Sequence, residues 1–294
     1  MDFTTNFLRA KGPCAAGFRW YVRHQQQPTN GYQHVLDALV DAGRVDDACW
    51  LLDQLGPTNT LLEVDRLDAP AVVFAGAIRA RRGIDVGGVL RAGRSIACEG
   101  ALAARTVAAG GEVHATGPLE SAGPLTAAGV RARWIDVRGP VRASGDVRAA
   151  DALRCGSFEG AGDLVARGSV AVDGGLRCEG RVKVAGDVEC GGAMHVRLGV
   201  ECGGSVRCGG PLDAGWGVRA GGCVVAAAAI RAGESIRAGG ELRAGPGYGI
   251  YAGTAVAIED WATSAVVCAC TRPRNLVSGD WQGADLVLGK GRAR

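Results

Sequence analysis

The sequence predicts a mainly β fold. It reads as a triangular β-solenoid of about ten 18-residue coils, with a small N-terminal α-helical module and a C-terminal β cap. Three observations predict it. First, large aliphatic residues recur every six positions, without a break, from Leu164 through Val170, Leu176, Val182, Val188, Met194, Val200, Val206, Leu212, Val218, Val224, Ile230 and Ile236 to Leu242. Second, two residues after each aliphatic stands a small or β-branched one (Ala166, Val172, Cys178, Val184, Cys190), and the residue between is often charged. Third, the chain has 48 glycines in 294 residues, roughly twice the usual ~7 %, and only 5 % aromatics. Collagen would need glycine at every third position, and a disordered chain would lack the regular aliphatics.

Residues 1–60 form the first unit. They hold Trp20, Tyr21, Tyr32 and Trp50 together with Phe3, Phe7 and Phe18. In 32–43 the spacing of Val35, Leu36, Leu39 and Val40 makes one apolar helical face, and Gly43 supplies a stop. In 44–57 the face is Val45, Ala48, Leu51, Leu52 and Leu55. Asp46 and Asp47 suit the helix N-terminus, and Gly56-Pro57 ends the run. A helical hairpin this small is marginal alone, so it is expected to pack on the adjoining repeat region.

The solenoid is expected over 61–245. Its beat starts at Val72 and runs through Ile78, Ile84, Leu90, Ile96 and Leu102; some steps between Leu102 and Phe158 are five residues instead of six. In a strand, residues i and i+2 share a face and i+1 points away. Each hexad is therefore a three-residue strand with a large and a small side chain inside and a polar one outside. Glycine corners come next, expected to use positive φ. Three sides close a triangle, so that Val170, Val188, Val206, Val224 and Leu242 stack in one column and Leu164, Val182, Val200, Val218 and Ile236 in another. Ten coils make a rod of about 48 Å.

After Gly245 the beat stops. Residues 246–290, with the alternating stretch 263–271, are read as a cap over an otherwise unpaired edge, and 291–294 as a basic tail.

The net charge of +3 does not by itself point to nucleic acid or an anionic membrane. No stretch is long and apolar enough for a transmembrane helix, and the first residues lack the pattern of a signal peptide. Eleven cysteines, an odd number, suggest reduced thiols and a cytoplasmic protein. Cys155, Cys178, Cys190, Cys202 and Cys208 occupy the small inward position, and Cys190 and Cys208 fall in neighbouring coils. A metal site or a disulfide is the chemical reading. Without a C-x-x-C pair or histidines at ligand spacing, a small buried hydrophobe is the preferred one. No catalytic constellation and no cofactor or metal site are expected.

The outward positions carry Arg177, His195, Arg219, Arg231 and Arg237, which are taken as the partner-binding residues. They are interspersed with Glu189, Glu201 and Asp213, and no aromatic interleaves them, so nucleic acid is not the expected partner. One enzymatic comparison is with hexapeptide-repeat acyltransferases, which use a left-handed triangular β-helix and a histidine base. Their small inward residue precedes the aliphatic one, whereas here it comes two positions after, and His195 is read as a surface residue.

Two resemblances extend this. The aliphatic–glycine repeat over 72–245 resembles the bactofilins, bacterial cytoskeletal proteins, which implies a right-handed β-helix and end-to-end polymerisation. Cys14, Gly17, Trp20, Asp47, Ala48 and Trp50 make the first unit similar to a small helical module of uncharacterised bacterial and phage proteins. Some of those are thought of as immunity proteins of toxin systems. The expected function is therefore non-enzymatic: binding a protein partner, a bacterial toxin, and neutralising it. A self-assembling scaffold, and with it a homo-oligomer, is the alternative, and acyl transfer the second.

Overall fold

The structure of the chain is a computed structural model, which describes residues 9, 11–13, 15–24 and 31–284. Phe3, Phe7 and Cys14 and the basic tail at 291–294 lie outside the described residues.

Among the described residues thirty strands join in one parallel sheet that winds into a solenoid of about twelve turns. Three inner ladders hold it. The first runs Leu62, Ile78, Ile96, Val113, Val130, Val147, Leu164, Val182, Val200, Val218, Ile236, Val267 and Trp281. The second runs Leu67, Ile84, Leu102, Leu119, Ile135, Leu153, Val170, Val188, Val206, Val224 and Leu242. The third runs Val72, Leu90, Val107, Leu125, Val141, Phe158, Leu176, Met194, Leu212, Ile230, Ile250 and Leu276. In the regular run each three-residue strand buries its first and third residues and turns the second outward, as the hexad predicts.

Two turns more are present than the hexad count gives. The strand β1 (Leu61–Ala69) precedes the visible beat. Strands Ile250–Tyr251, Val266–Cys268, Leu276–Ser278 and Asp280–Gly283 continue the stack beyond it. Between Ile236 and Val267 one coil swells to hold a 3-10 turn, Ile258–Asp260, and a short helix, Trp261–Ser264. That insertion hides the last turns from a periodicity search. The five-residue steps have a local explanation too. Leu102 and Val107 stay in register with Ile84 and Leu90, so the missing residue is taken out of the corner and one continuous strand, Ala101–Ala109, bends round it.

The corner glycines work differently from the expectation. Among the described residues, positive φ occurs only at Gly12, Gly43, Gly56, Gly247, Gly253, Gly279 and Gly283, all outside the regular run. In the column Gly203, Gly221, Gly239, a Cβ would instead fall on the carbonyl oxygen one coil earlier, that of Ala185, Gly203 and Gly221 respectively. Close approach of the coils, and not backbone handedness, selects glycine there.

Polar side chains complete the corners. Ser169 Oγ accepts from the Asp187 N–H at 3.1 Å, Asp187 Oδ1 from Ser205 at 2.7 Å, Ser205 Oγ from Cys223 at 3.1 Å and Cys223 Sγ from Glu241 at 3.3 Å. Each satisfies a backbone N–H that the three-residue ladder leaves over. The inward thiols answer from the other side: Cys202 Sγ donates to Gly186 O at 3.0 Å and Cys178 Sγ to Gly162 O at 3.2 Å.

The N-terminal module has three helices among its described residues: α1 (Ala15–His24), α2 (Tyr32–Asp41) and α3 (Val45–Leu55). Gly43, at φ +71°, ends α2 in a Schellman arrangement, with Arg44 N–H on Leu39 O at 2.8 Å and Gly43 N–H on Val40 O at 2.9 Å. Val35, Leu36, Leu39, Ala48, Leu51 and Leu52 bury together against Val73 and Ala75 of the first coil. Gln33 makes the junction. Its side-chain amide donates to Val73 O at 2.9 Å and accepts from Ala75 N–H at 2.8 Å, acting as one extra peptide unit on the outer edge of β2 (Val72–Phe74). An edge that invites foreign strands is thereby closed. Arg91 to Asp53 at 2.6 Å ties α3 to the second coil.

Candidate binding faces

Strand after strand, the triangular rod presents its middle residues on three flat faces, and the predicted partner-binding residues divide between two of them. Arg177, His195 and Arg231 lie outside the third ladder, in one row with Asp213. Arg219 and Arg237 lie outside the first ladder as direct register neighbours, next in line after Lys183 and Glu201. The five residues therefore do not form one patch.

The row on the third face is internally ordered. Arg142 pairs with Glu159 at 3.5 Å, and Arg177 with Glu179 at 3.2 Å. Asp213 is shared: its Oδ2 lies 3.1 Å from His195 Nδ1 and its Oδ1 3.4 Å from Arg231 Nη1. Arg231 in turn sits over the Tyr251 ring, 5.7 Å from its centroid. These are exposed contacts, each worth about 0–1 kcal/mol. Their effect is to fix side-chain positions more than to hold the fold.

On the first face Lys183 meets Glu201 at 3.7 Å. Sequence reasoning saw no aromatic beside these cations, but the structure places one there. Trp216, 42 % exposed, occupies the corner just before Val218, with the Arg181 guanidinium 5.0 Å from its ring centre. Its signal in the sequence is a tryptophan set between Gly215 and Gly217, where the hexad requires small residues.

The helical module carries a second apolar feature. Pro13, Phe18, Trp20, Tyr21 and Trp50 line a small apolar pocket. Tyr32 donates to Gly56 O at 3.2 Å, and burial, with Asp53 nearby, pushes its phenol up to about 12, Arg91 opposing.

Burial likewise raises the core thiols, Cys155 to about 12 and Cys178 and Cys202 to about 11, as expected of packing residues without a nearby cation. No disulfide joins the described cysteines. Among the described residues no group of three or more His, Cys, Asp or Glu could hold a metal ion, and no helix is long and apolar enough to cross a membrane.

No curated protein and no solved structure matches the chain. Residues 1–56, the helical module, match the family described as the YdhT N-terminal domain.

Proposed function

We propose that this chain is a non-enzymatic binding protein of the cytoplasm that meets a protein partner through the ordered rows of its solenoid, and that the partner is a bacterial toxin neutralised by being covered. The observation that carries the reading is the row His195–Asp213–Arg231–Tyr251: charged and aromatic groups held at fixed spacing on a flat, rigid face. Association costs rotamer freedom at each side chain it immobilises. Groups already held by their neighbours lose less, so such a row suits a specific protein contact.

The test is to express the tagged chain in its native cells and identify what co-purifies in stoichiometric amount. The reading expects a protein whose expression alone arrests growth and whose toxicity is relieved by the intact chain. Relief should be lost in the triple variant Arg177→Ala, His195→Ala, Arg231→Ala. A co-purifying protein that is harmless on its own rejects neutralisation.

A second reading, a bactofilin-like self-assembling scaffold, is favoured by one observation. Among the described strands β1 pairs on one side only, and Leu61 in it is 49 % exposed. Recovery of the chain in large assemblies of itself alone would select this reading over the first.

A further inference from the structure

Inside the second face, the small inward position runs Cys155, Val172, Cys190, Cys208, Ala226. Cys190 and Cys208 are direct register partners in adjacent coils. Elsewhere in the regular run a thiol at this position has no thiol above or below it: Cys178 lies between Gly160 and Val196, Cys202 between Val184 and Ala220. The two sulfurs also converge on one atom. The Gly192 carbonyl oxygen lies 3.6 Å from Cys190 Sγ and 3.0 Å from Cys208 Sγ. Parallel neighbours stand about 4.8 Å apart, within the Cα separation of roughly 4.4–6.8 Å that a disulfide spans.

The pair is buried, at 3 % and 5 % exposure, but lies under a corner groove open to solvent. That groove is lined by Asp173, Glu189, Cys190, Arg207, Cys208 and Arg243. We propose that Cys190 and Cys208 are a modification site: a two-electron oxidant of the peroxide class converts them to a disulfide that staples adjacent coils, and thiols reverse it.

The step balances. The Cys190 thiolate attacks the peroxide O–O bond and becomes a sulfenic acid as hydroxide leaves. Cys208 sulfur then attacks the sulfenic sulfur, the S–S bond forms and water departs. Two thiols and one hydrogen peroxide give one disulfide and two waters. A hydrogen bond from Cys208 lowers the Cys190 thiol from its ordinary value, which favours Cys190 as the attacking member, while the same contact and burial raise Cys208.

The experiment treats the full chain, native, with sub-millimolar hydrogen peroxide, blocks remaining thiols with iodoacetamide and maps tryptic peptides. Cleavage after Lys183, Arg197, Arg207 and Arg219 places the two cysteines on peptides 184–197 and 208–219. The expected result is a linked species, lighter than their sum by two hydrogens, that disappears on reduction and is absent in both Cys190→Ala and Cys208→Ala. Alanine stands at this position in the next coil, at Ala226, so these variants keep the fold, which circular dichroism checks. The proposal is overturned if both cysteines emerge alkylated while Cys270 is oxidised. It is equally overturned if the link forms only in denaturant, or if Cys190 pairs with another thiol in the Cys208→Ala variant.

Discussion

One polar side chain, Gln33, completes the edge of the first coil where the module packs on the solenoid, and removing it tests how that coil is closed. Gln33→Ala deletes a donor to Val73 O at 2.9 Å and an acceptor from Ala75 N–H at 2.8 Å, in a part-buried setting where the next group along the same edge, Ala75 O, is held by the Thr58 N–H at 2.9 Å. A neutral hydrogen bond contributes a net of about 1 kcal/mol, and an unsatisfied buried group costs about 1–3 kcal/mol. Water reaches this edge in part, so the two losses together come to about 2 kcal/mol, roughly 30-fold in the opening equilibrium of the first coil. The effect is local. In a repeat array each coil answers mainly to its neighbours, so a global melting temperature would dilute it. Native-state hydrogen exchange is the assay: protection should fall at Ala75 and across α2 and α3, and stay unchanged at coils around Val206. Gln33→Glu, which keeps the acceptor and turns a second acceptor toward Val73 O, should do no better than alanine. Unaltered exchange at Ala75 in the alanine variant would refute the edge-closing role.

The same packing sets further expectations. Leu212 is fully buried between Met194 and Ile230, so Leu212→Ala should cost about 2–5 kcal/mol in denaturant unfolding; a smaller loss would mean that the coils close over the gap. Cys202→Ala should cost under about 1 kcal/mol, its weak hydrogen bond to Gly186 O being the main loss, because Ala220 holds the same position one coil on. Iodoacetamide on the native, reduced chain should label exposed Cys270 first and Cys155 last, since burial both shields Cys155 and raises its thiol to about 12. Tyr32 has its folded value raised from 10.0 to about 12, so its neutral form is the one the fold favours. That contribution is complete below pH 10 and lost as pH rises through 12; tyrosinate absorbance should show Tyr32 ionising together with loss of helix, and Tyr32→Phe should remove this alkaline transition.

How much of the fold was legible depends on where the controlling contact lies. The ladders Val170–Leu242 and Leu164–Ile236 were readable because both the large and the small inward residues repeat without interruption. Leu62 and Leu67 were not: each heads a large–charged–small triplet in β1, but the steps from Leu62 to Leu67 and from Leu67 to Val72 are five residues, off the six-residue beat. Val267 and Trp281 were lost behind the inserted coil that carries the exposed Ile258. Gln33 could not be read at all, because its partners are forty and forty-two residues away and nothing local marks an edge. The corner ladder Ser169, Asp187, Ser205, Cys223 was visible at the coil spacing, but polar residues before an aliphatic read as ordinary turn chemistry unless the coils are already stacked. As for the faces, periodicity placed every candidate cation outside and stacked the right pairs. At the 18-residue coil spacing it already laddered Arg219 with Arg237 and put Arg177 in the column of Arg231; the pairing of Asp213 with both His195 and Arg231 it could not give, because that depends on side-chain geometry.

This separation of roles makes the proposed face testable without unfolding the chain. The inward residues determine the fold; the outward row contributes little to it. Asp213 is the informative position, because its carboxylate touches two neighbours in the row, His195 and Arg231, and its side chain is 30 % exposed. Asp213→Asn keeps the size and removes the charge. Two exposed pairs weaken, at about 0–1 kcal/mol each, so the unfolding midpoint should scarcely move. The row, however, changes character: Arg177 and Arg231 then flank His195 with no intervening carboxylate, and Arg231 loses the partner that steadies it over Tyr251. If this row meets the partner, retention of the co-purifying protein should fall about 10-fold or more in Asp213→Asn, as expected when a charge pair at an interface is broken. Arg219→Ala on the other face should leave retention unchanged. Equal retention by wild type and Asp213→Asn would move the contact off the third face. A loss of retention matched by Arg219→Ala would show that the partner spans the corner marked by Trp216.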